Sequence, residues 1–324
     1  MRSVSVNGLF TSVMFLGVLA CVLSYLPFDW WLTDLLSHFR LQYALFFAVM
    51  VLVLAMLRYW YWAIAGVLLL GLNLTELVPR WLAVPQVAPG QGQPLRLVTF
   101  NVNSRGDPQK ALQVIQASQP DVLLLLEITQ AWLQQLAPLT EAFPHQLVHP
   151  RTDNFGIALL SRYPIEGQVV WLGPARLPSV HAHVDLHGDK FEVWGTHPPP
   201  PMTRERKDWQ DEQLTELVRR IQNRPLTIVA GDLNTTPYAS NFRTMLQKSG
   251  LRDASLGFGI QGTWPLSFNV LSIPIDHVLH TVDIVTTEAR VVWDTGSDHA
   301  AVVVDLIMPF EASSDLKAEV SDSI

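Results

Sequence analysis

Three apolar runs crowded between residues 9 and 74 constrain this chain more than any other feature. The first, residues 9–28, reaches the ~20 residues that a helix needs to cross a bilayer. The second, 41–57, and the third, 60–74, are shorter, and are separated only by Arg58 and the patch Tyr59-Trp60-Tyr61-Trp62. Trp30 and Trp31, that patch, and Trp81 stand where lipid would meet water, the level at which amphipathic rings settle. A cleaved signal peptide would account for the first run but not for the next two. A helical hairpin buried against a soluble domain is the alternative, yet three such runs in one short stretch exceed a core's needs. The expectation is a membrane domain over residues 1–80 with three transmembrane helices. Three crossings put the N-terminus and the rest of the chain on opposite sides. Arg2 and Arg58 then share one side, and the acidic 29–34 loop takes the other. The positive-inside tendency therefore places the larger domain outside the cytoplasm. The architecture is that of a multi-pass protein of the cell membrane, in a bacterium the inner membrane.

Residues 81–94, rich in Pro, Gly and Gln, read as a linker, and the acidic, Ser-rich residues 311–324 as a flexible tail. Residues 95–310 between them have an ordinary globular composition. The single cysteine, Cys21, excludes an intramolecular disulfide. The formal net charge is −7, with no block of Lys and Arg. A protein whose main work is gripping a nucleic-acid backbone shows a basic face, because phosphate neutralisation dominates that affinity. A nuclease that holds its substrate chiefly through metal ions stays open. No obligate protein partner is implied.

Past the linker, short β-type runs alternate with helical stretches. Strands are expected at 95–102, 122–126, 156–161, 182–186, 191–196, 226–230, 275–280, 284–293 and 300–306, with helices at 108–118 and 203–223. Many strands and few long helices suggest two packed sheets with helices outside. The notable polar residues fall where these strands end: Asn101 and Asn103, Glu127, His197, Asp232 and Asn234, Asp276 with His277, and Asp298 with His299. Taken singly, each has a plain reading as a turn residue, a helix cap or a surface pair. A carboxylate directly after five apolar residues, as Glu127 is, costs free energy unless it is paired or bound to a cation. Repeated at several strand ends, the pattern gathers carboxylates, amides and imidazoles around one point. Such oxygen ligands suit Mg²⁺ or Mn²⁺ rather than a sulfur-seeking metal.

The ordered pieces Thr99-Phe100-Asn101-Val102-Asn103, Leu124-Leu125-Leu126-Glu127, Gly195-Thr196-His197, Gly231-Asp232-Leu233-Asn234, Ile275-Asp276 and Ser297-Asp298-His299 resemble the endonuclease/exonuclease/phosphatase superfamily. So does Gly262-Thr263-Trp264-Pro265 in its spacing ahead of Asp276. The resemblance covers residues 95–308. It implies an α/β (α+β) fold, a four-layer αββα sandwich of two packed mixed β-sheets, here preceded by the three membrane helices. It further implies that Asn101 and Glu127 bind Mg²⁺ or Mn²⁺, with Asp298 as a further ligand. Asn103 and Trp264 would touch substrate. Asp232 and Asn234 would position and activate water, and His197 would hold a phosphoryl oxygen. His299, oriented by Asp276, would be a general base or a phosphate-stabilising cation. A histidine at position 197, where abasic-site enzymes carry tyrosine, is more like the deoxyribonuclease and sphingomyelinase branches.

The expected activity is metal-dependent hydrolysis of a phosphate ester or pyrophosphate by an activated water. A membrane anchor raises the effective concentration of a lipid substrate, so a lipid-borne phosphate is the favoured partner and the bilayer itself a second one. A membrane-tethered nuclease is the alternative, with Arg204, Arg206 and Lys207 as its phosphate contacts. A binding module that kept the fold is the third reading, and the full set of competent residues speaks against it. The stiff run Pro198 to Pro201 is expected to shape the substrate entrance.

Overall fold

The computed structural model describes residues 6–26, 30–82 and 92–309. Its first part is helical: α1 (Val6–Leu23), α2 (Trp31–Ser37), α3 (Arg40–Met56), α4 (Trp60–Leu77) and the single turn α5 (Pro79–Leu82). Met14, Cys21, Phe47, Met50, Leu54 and Ala63 form the seam of this bundle. Polar contacts close it at one end. Arg40 is buried, donates to Ser24 Oγ at 2.6 Å, and lies 3.6 Å from the centre of the Tyr25 ring. Asn73 Nδ2 donates to Cys21 Sγ at 3.3 Å. Leucines and valines of all three long helices face outward, Leu16, Leu52 and Leu68 among them.

The expectation of three transmembrane helices is met in part. Among the described residues, one helix, Trp60–Leu82, is long and apolar enough to cross a membrane. Trp31–Ser37 and Arg40–Met56 meet that criterion only as a pair, bent by 66°. The first run gives α1, which ends at Leu23 where the chain turns, the Ser24 hydroxyl bonding back to Cys21 O at 2.6 Å. The bend lies just ahead of the second run, between Ser37 and Arg40, where α2 leaves the axis of α3 and His38 Nδ1 meets Thr236 Oγ1 at 3.0 Å. Of the expected linker, Trp81 and Leu82 belong to α5 and Gln93 opens the first strand, while residues 83–91 lie outside the described residues, as does the tail.

The second part runs β1 (Gln93–Asn101), α6 (Pro108–Ser118), β2 (Val122–Leu126), α7 (Gln130–Gln135), β3 (His145–His149), β4 (Ile157–Ser161), β5 (Ile165–Leu172), β6 (Leu177–Leu186), β7 (Asp189–Gly195), α8 (Arg204–Ile221), β8 (Thr227–Asp232), α9 (Ser240–Ser249), β9 (Arg252–Asp253), β10 (Asp276–His280), β11 (Val285–Val292) and β12 (Ala301–Met308). Two six-stranded sheets result, ordered β11-β12-β1-β2-β4-β3 and β5-β6-β7-β8-β10-β9. Both are mixed: β1 pairs β2 in parallel and β7 pairs β8 in parallel, and their other neighbours are antiparallel. β2 is Val-Leu-Leu-Leu-Leu because it is central and both its faces are covered.

Alternation along the strands separates three layers of core. Leu97, Leu124, Leu126 and Leu159 of the first sheet meet Val180, Ala182, Val193, Ile228 and Val278 of the second. The opposite faces, Val98, Phe100, Leu123 and Leu125, pack under Ala111 and Ile115 of α6 and Trp132 of α7. Across the molecule, Trp194, Val229 and Leu279 lie under Leu214, Leu217 and Ile221 of α8 and Phe242 and Met245 of α9. Each such side chain contributes roughly 1.5–3 kcal/mol by leaving water. Asp107 caps α6 by accepting from Gln109 N at 2.9 Å, and Thr203 caps α8. Helices, sheet, sheet and helices give the expected four layers.

The helical part is fastened to the sandwich. Arg80 Nη2 donates to the buried Asp253 carboxylate at 2.9 Å, and Arg80 O accepts from Gly257 N and Gly259 N. Gln42 Nε2 reaches Val270 O at 3.0 Å and Ser272 O at 3.3 Å, and Arg243 pairs with Glu76 at 3.0 Å.

Candidate active site

Strand ends from both sheets deliver polar side chains to one edge of the sandwich. Asn101 closes β1 and is in register with Leu126, so Glu127 emerges beside it. In the second sheet Asp276, the first residue of β10, lies directly across from Asp232, the last of β8. The exits are sharply turned. Asn103, Glu127 and Asn234 take left-handed backbone conformations, with φ of 55°, 61° and 51°. A glutamate in that region signals strain held in place by its surroundings, a common mark of a functional site. Gly231 is required where it stands: its φ is +143°, and a Cβ there would lie 2.0 Å from Thr196 O.

One hydrogen-bonded array joins these groups. Asn101 Nδ2 donates to Glu127 Oε1 at 3.2 Å and to Asp232 Oδ2 at 3.1 Å, while its Oδ1 accepts from Asn103 N at 3.0 Å. Ser104 N donates to Glu127 Oε2 at 3.1 Å. Asp298 is held by Asn103 Nδ2 at 2.7 Å and by Trp264 Nε1 at 3.0 Å. His299 Nδ1 sits 2.9 Å from Asp276 Oδ2, which leaves its Nε2 3.8 Å from Asp232 Oδ2. His197 Nε2 is 3.4 Å from that same oxygen. The Asn234 backbone N–H donates to Asp232 Oδ1 at 2.9 Å, and its side-chain amide donates to Pro198 O at 3.0 Å.

The charges are as unusual as the geometry. Glu127, Asp232 and Asp276 are all buried, and among the described residues none of them pairs with a Lys or Arg. Burial by itself would lower the pKa of His299, but the Asp276, Asp232 and Asp298 carboxylates outweigh it and push the imidazole up to about 10. His197 is likewise raised: burial opposes its charge, and the Asp232 carboxylate more than compensates. Asp232 is lowered, since the two imidazoles overcome the desolvation that would raise it.

The Glu127 and Asp232 carboxylates flank the Asn101 amide, with Asp298 held beside them through Asn103 and no Lys or Arg among their described partners, and oxygen donors of this kind suit a hard cation. Asp232, Asp276 and His299 place one ligand atom each within 4.8 Å of one another. Asp276 Oδ1 and His197 Nδ1 are buried with no hydrogen-bond partner. The residues present therefore fit a divalent metal. A second group, His181, His183 and Glu192, lies on the outer side of β6 and β7, where Glu192 is already engaged by His181, Arg224 and Thr227.

Asn103, Glu127, His197, Asp232, Asn234, Trp264, Asp298 and His299 line one cleft of about 570 Å³. Asn101 and Asp276 stand behind it through the bonds given above, so the ten residues to which the resemblance gives a role come together. His277 does not join them; its ring turns to the opposite face, with Nε2 2.8 Å from Thr235 O. Pro200 and Pro201 do line the cleft. Of the three basic residues, Arg204 pairs with Asp208 at 3.5 Å and the buried Lys207 with Asp211, while Arg206 lines the cleft. Several contributors escaped the sequence. Ser297 Oγ donates to Asn101 O at 2.8 Å, a role visible in principle from the motif it opens. Phe155 packs 5.2 Å from the His197 ring. Leu35 and His38 enter from α2 and its exit, with no local signal to mark them.

Comparisons agree with this geometry. Solved structures similar to the chain include an endonuclease/exonuclease/phosphatase from Beutenbergia cavernae, at 22% identity and a TM-score of 0.56 over 67% of this chain and 72% of that one. A family protein from Bacteroides thetaiotaomicron matches at 20% identity and a TM-score of 0.53, covering 68% of this chain and 100% of the other. TDP2 of D. rerio complexed with a single-strand DNA product matches at 16% identity and 0.53, over 66% and 99%. At these identities the likeness shows the fold. No curated protein matches the chain. The model of the Endonuclease/Exonuclease/phosphatase family matches residues 98–299, from the first strand to the last histidine of the cleft, and the chain belongs to that family.

Proposed function

We propose that the chain is a divalent-metal-dependent phosphoesterase that hydrolyses a phosphate ester or pyrophosphate carried by a membrane lipid. The observation that carries the reading is the burial of Glu127, Asp232 and Asp276 around two imidazoles with no Lys or Arg among their described partners. Asn101, Glu127 and Asp298 are assigned to hold Mg²⁺ or Mn²⁺, which when bound supplies positive charge to the phosphoryl oxygens. Asp232, kept ionised, accepts a proton from the attacking water, and Asn234 shapes its carboxylate through the 2.9 Å backbone bond. The water oxygen adds to phosphorus as the bond to the leaving oxygen breaks. His299, with Asp276 on Nδ1, presents a protonated Nε2 toward the same oxygens, and His197 presents the other imidazole. Of the two roles open to His299, its raised pKa favours the phosphate-stabilising cation over the general base. Asn103 and Trp264 fix Asp298 and border the substrate.

The lipid reading rests on the apolar helical part, whose α2 borders the cleft through Leu35, and on the net charge of −7. The same reading puts the protein in the cell membrane with its cleft on the extracytoplasmic side. A nuclease is the second reading, favoured by the likeness to a TDP2 that holds a DNA product and by Arg206 at the cleft. Arg204 and Lys207, its other supports, are tied to Asp208 and Asp211. Hydrolysis of a matched panel by detergent-purified protein tests the choice: a polyprenyl pyrophosphate, a sphingomyelin-type lipid, an oligonucleotide and a generic phosphodiester, each with Mg²⁺, Mn²⁺ or chelator. Turnover of a lipid member supports the first reading, and turnover of the oligonucleotide alone replaces it with the second.

A further inference from the structure

The cleft is not built by the sandwich alone. One wall is Leu35 and His38, from α2 and the bend after it, and Trp264, Ile273 and Ile275 border the same space. His38 is buried and fixed through Nδ1 to Thr236 Oγ1, while its Nε2 has no hydrogen-bond partner and lies 3.9 Å from the Asp34 carboxylate.

From Ile273 the chain leads back into a loop whose residues 266–273 carry no charge. Three large apolar side chains stand out from it: Phe268, Val270 and Leu271 are 65%, 68% and 51% exposed. Isolated exposed leucines need no explanation, but three such side chains within four residues, on the loop that leads to Ile273 of the cleft, form a patch that marks a contact surface. The position of the loop says what that surface meets. Gln42, in the first turn of α3, donates to Val270 O and Ser272 O and so pins the loop to the helix. Gln42, Leu45, Val49, Leu52 and Met56 follow one another at intervals of three and four, which places them on one face of α3. The four apolar members are exposed. The loop thus caps the end of an outward apolar stripe that runs down the helical bundle.

We propose that the α2–α3 bend and the 268–271 loop form an exit for hydrocarbon, so that the enzyme takes a phosphate borne on a long apolar chain that passes Leu35 and Ile273 and continues along Leu45 and Val49 into the bilayer. This deepens the lipid reading given above and rests on it. It identifies the substrate class by chain length rather than by head group. It also gives α2 a role in specificity: the helix is one bank of the exit, held in place by His38 at its end.

The test uses the full chain in liposomes and two esters of the same phosphate head, one with a hexadecyl and one with a butyl chain. The ratio of kcat/KM for the long over the short ester is compared between wild type and the triple variant Phe268→Ser, Val270→Ser, Leu271→Ser. The expected result is a fall in that ratio of about tenfold or more, since burying each side chain contributes on the scale of one tenfold step. An unchanged ratio, in an enzyme that prefers the long ester, overturns the exit while leaving the lipid reading intact. If wild type cleaves neither ester but cuts an oligonucleotide, the lipid reading itself fails and the exit falls with it. A second measurement does not depend on turnover. Val270→Cys in a Cys21→Ser background, labelled with an environment-sensitive fluorophore, should report an apolar surrounding in liposomes. A water-like spectrum there also overturns the proposal.

Discussion

Replacing Asp276 by Asn should cost as much activity as removing the imidazole that it holds. Asp276 Oδ2 and His299 Nδ1 are 2.9 Å apart, with 0% and 7% of their side chains exposed. Two unit charges some 4 Å apart interact by about 4 kcal/mol at an effective dielectric of ~20, and breaking a buried pair costs about 3–5 kcal/mol. If His299 must be charged for phosphate stabilisation, that energy is lost from the transition state, and kcat falls by about 10²–10⁴. His299→Ala should fall into the same range. Because Asp276 acts only through His299, the double variant should be no slower than the slower single one. The assay is steady-state turnover of a phosphate ester at saturating Mg²⁺ for the four proteins of the cycle. Losses that multiply, giving a double variant roughly 10⁴–10⁸ below wild type, would refute the coupling. The pair also sets a pH signature in metal-free protein. His299 is raised to about 10 from an ordinary value of about 6.5. Its contribution to stability is then full below about 6.5 and is lost as pH rises through about 10. Asp276→Asn should flatten that alkaline decline.

Three further predictions concern the metal, the backbone and the docking of the helices. Mg²⁺ at about 100 times its Kd should stabilise the folded protein by about 2.7 kcal/mol, read as a chelator-reversible rise in Tm, and Glu127→Gln should abolish most of that rise. Gly231→Ala should destabilise by more than about 3 kcal/mol in chemical denaturation, since its Cβ has Thr196 O at 2.0 Å and a φ of +143°. Arg80→Met should cost about 3–5 kcal/mol by stranding the buried Asp253. Burial opposes the Asp253 charge, but Arg80 holds its pKa below the usual carboxylate value, so its contribution is present above pH ~4 and lost as acid reaches the lowered value. In acid titration, Arg80→Met should therefore unfold at higher pH than wild type.

Much of this was legible in the residues because the buried layers leave strong patterns. Five consecutive apolar residues could only be a central strand, and 122–126 became β2 with those bounds. The helix expected over 108–118 became α6 with those bounds. The strands that escaped are edge or near-edge strands. β5, Ile-Glu-Gly-Gln-Val-Val-Trp-Leu, is mostly exposed, and β3 has no fully buried residue, so neither shows an apolar run. The ten residues gathered at the cleft could be picked out in the sequence because all but Trp264 stand at or just beyond a strand end, and strand ends of both sheets meet at one edge. What no local pattern could reveal was the contribution of Leu35 and His38, which reach the cleft from a segment far away in sequence. The second apolar run, 41–57, is itself α3, an unbroken helix of 17 residues, and the 66° bend ahead of it lies where tertiary contacts act that hydropathy does not register.

The central claim is that this cleft hydrolyses a phosphate ester with a divalent metal. It is tested most directly by phosphate release from a lipid phosphate in liposomes containing the full chain, with and without chelator, beside Asp232→Ala. The account predicts turnover that chelator abolishes, that Mg²⁺ or Mn²⁺ restores, and that the variant lacks by a factor of about 10² or more. Turnover that survives chelator, or that Asp232→Ala retains, would contradict it.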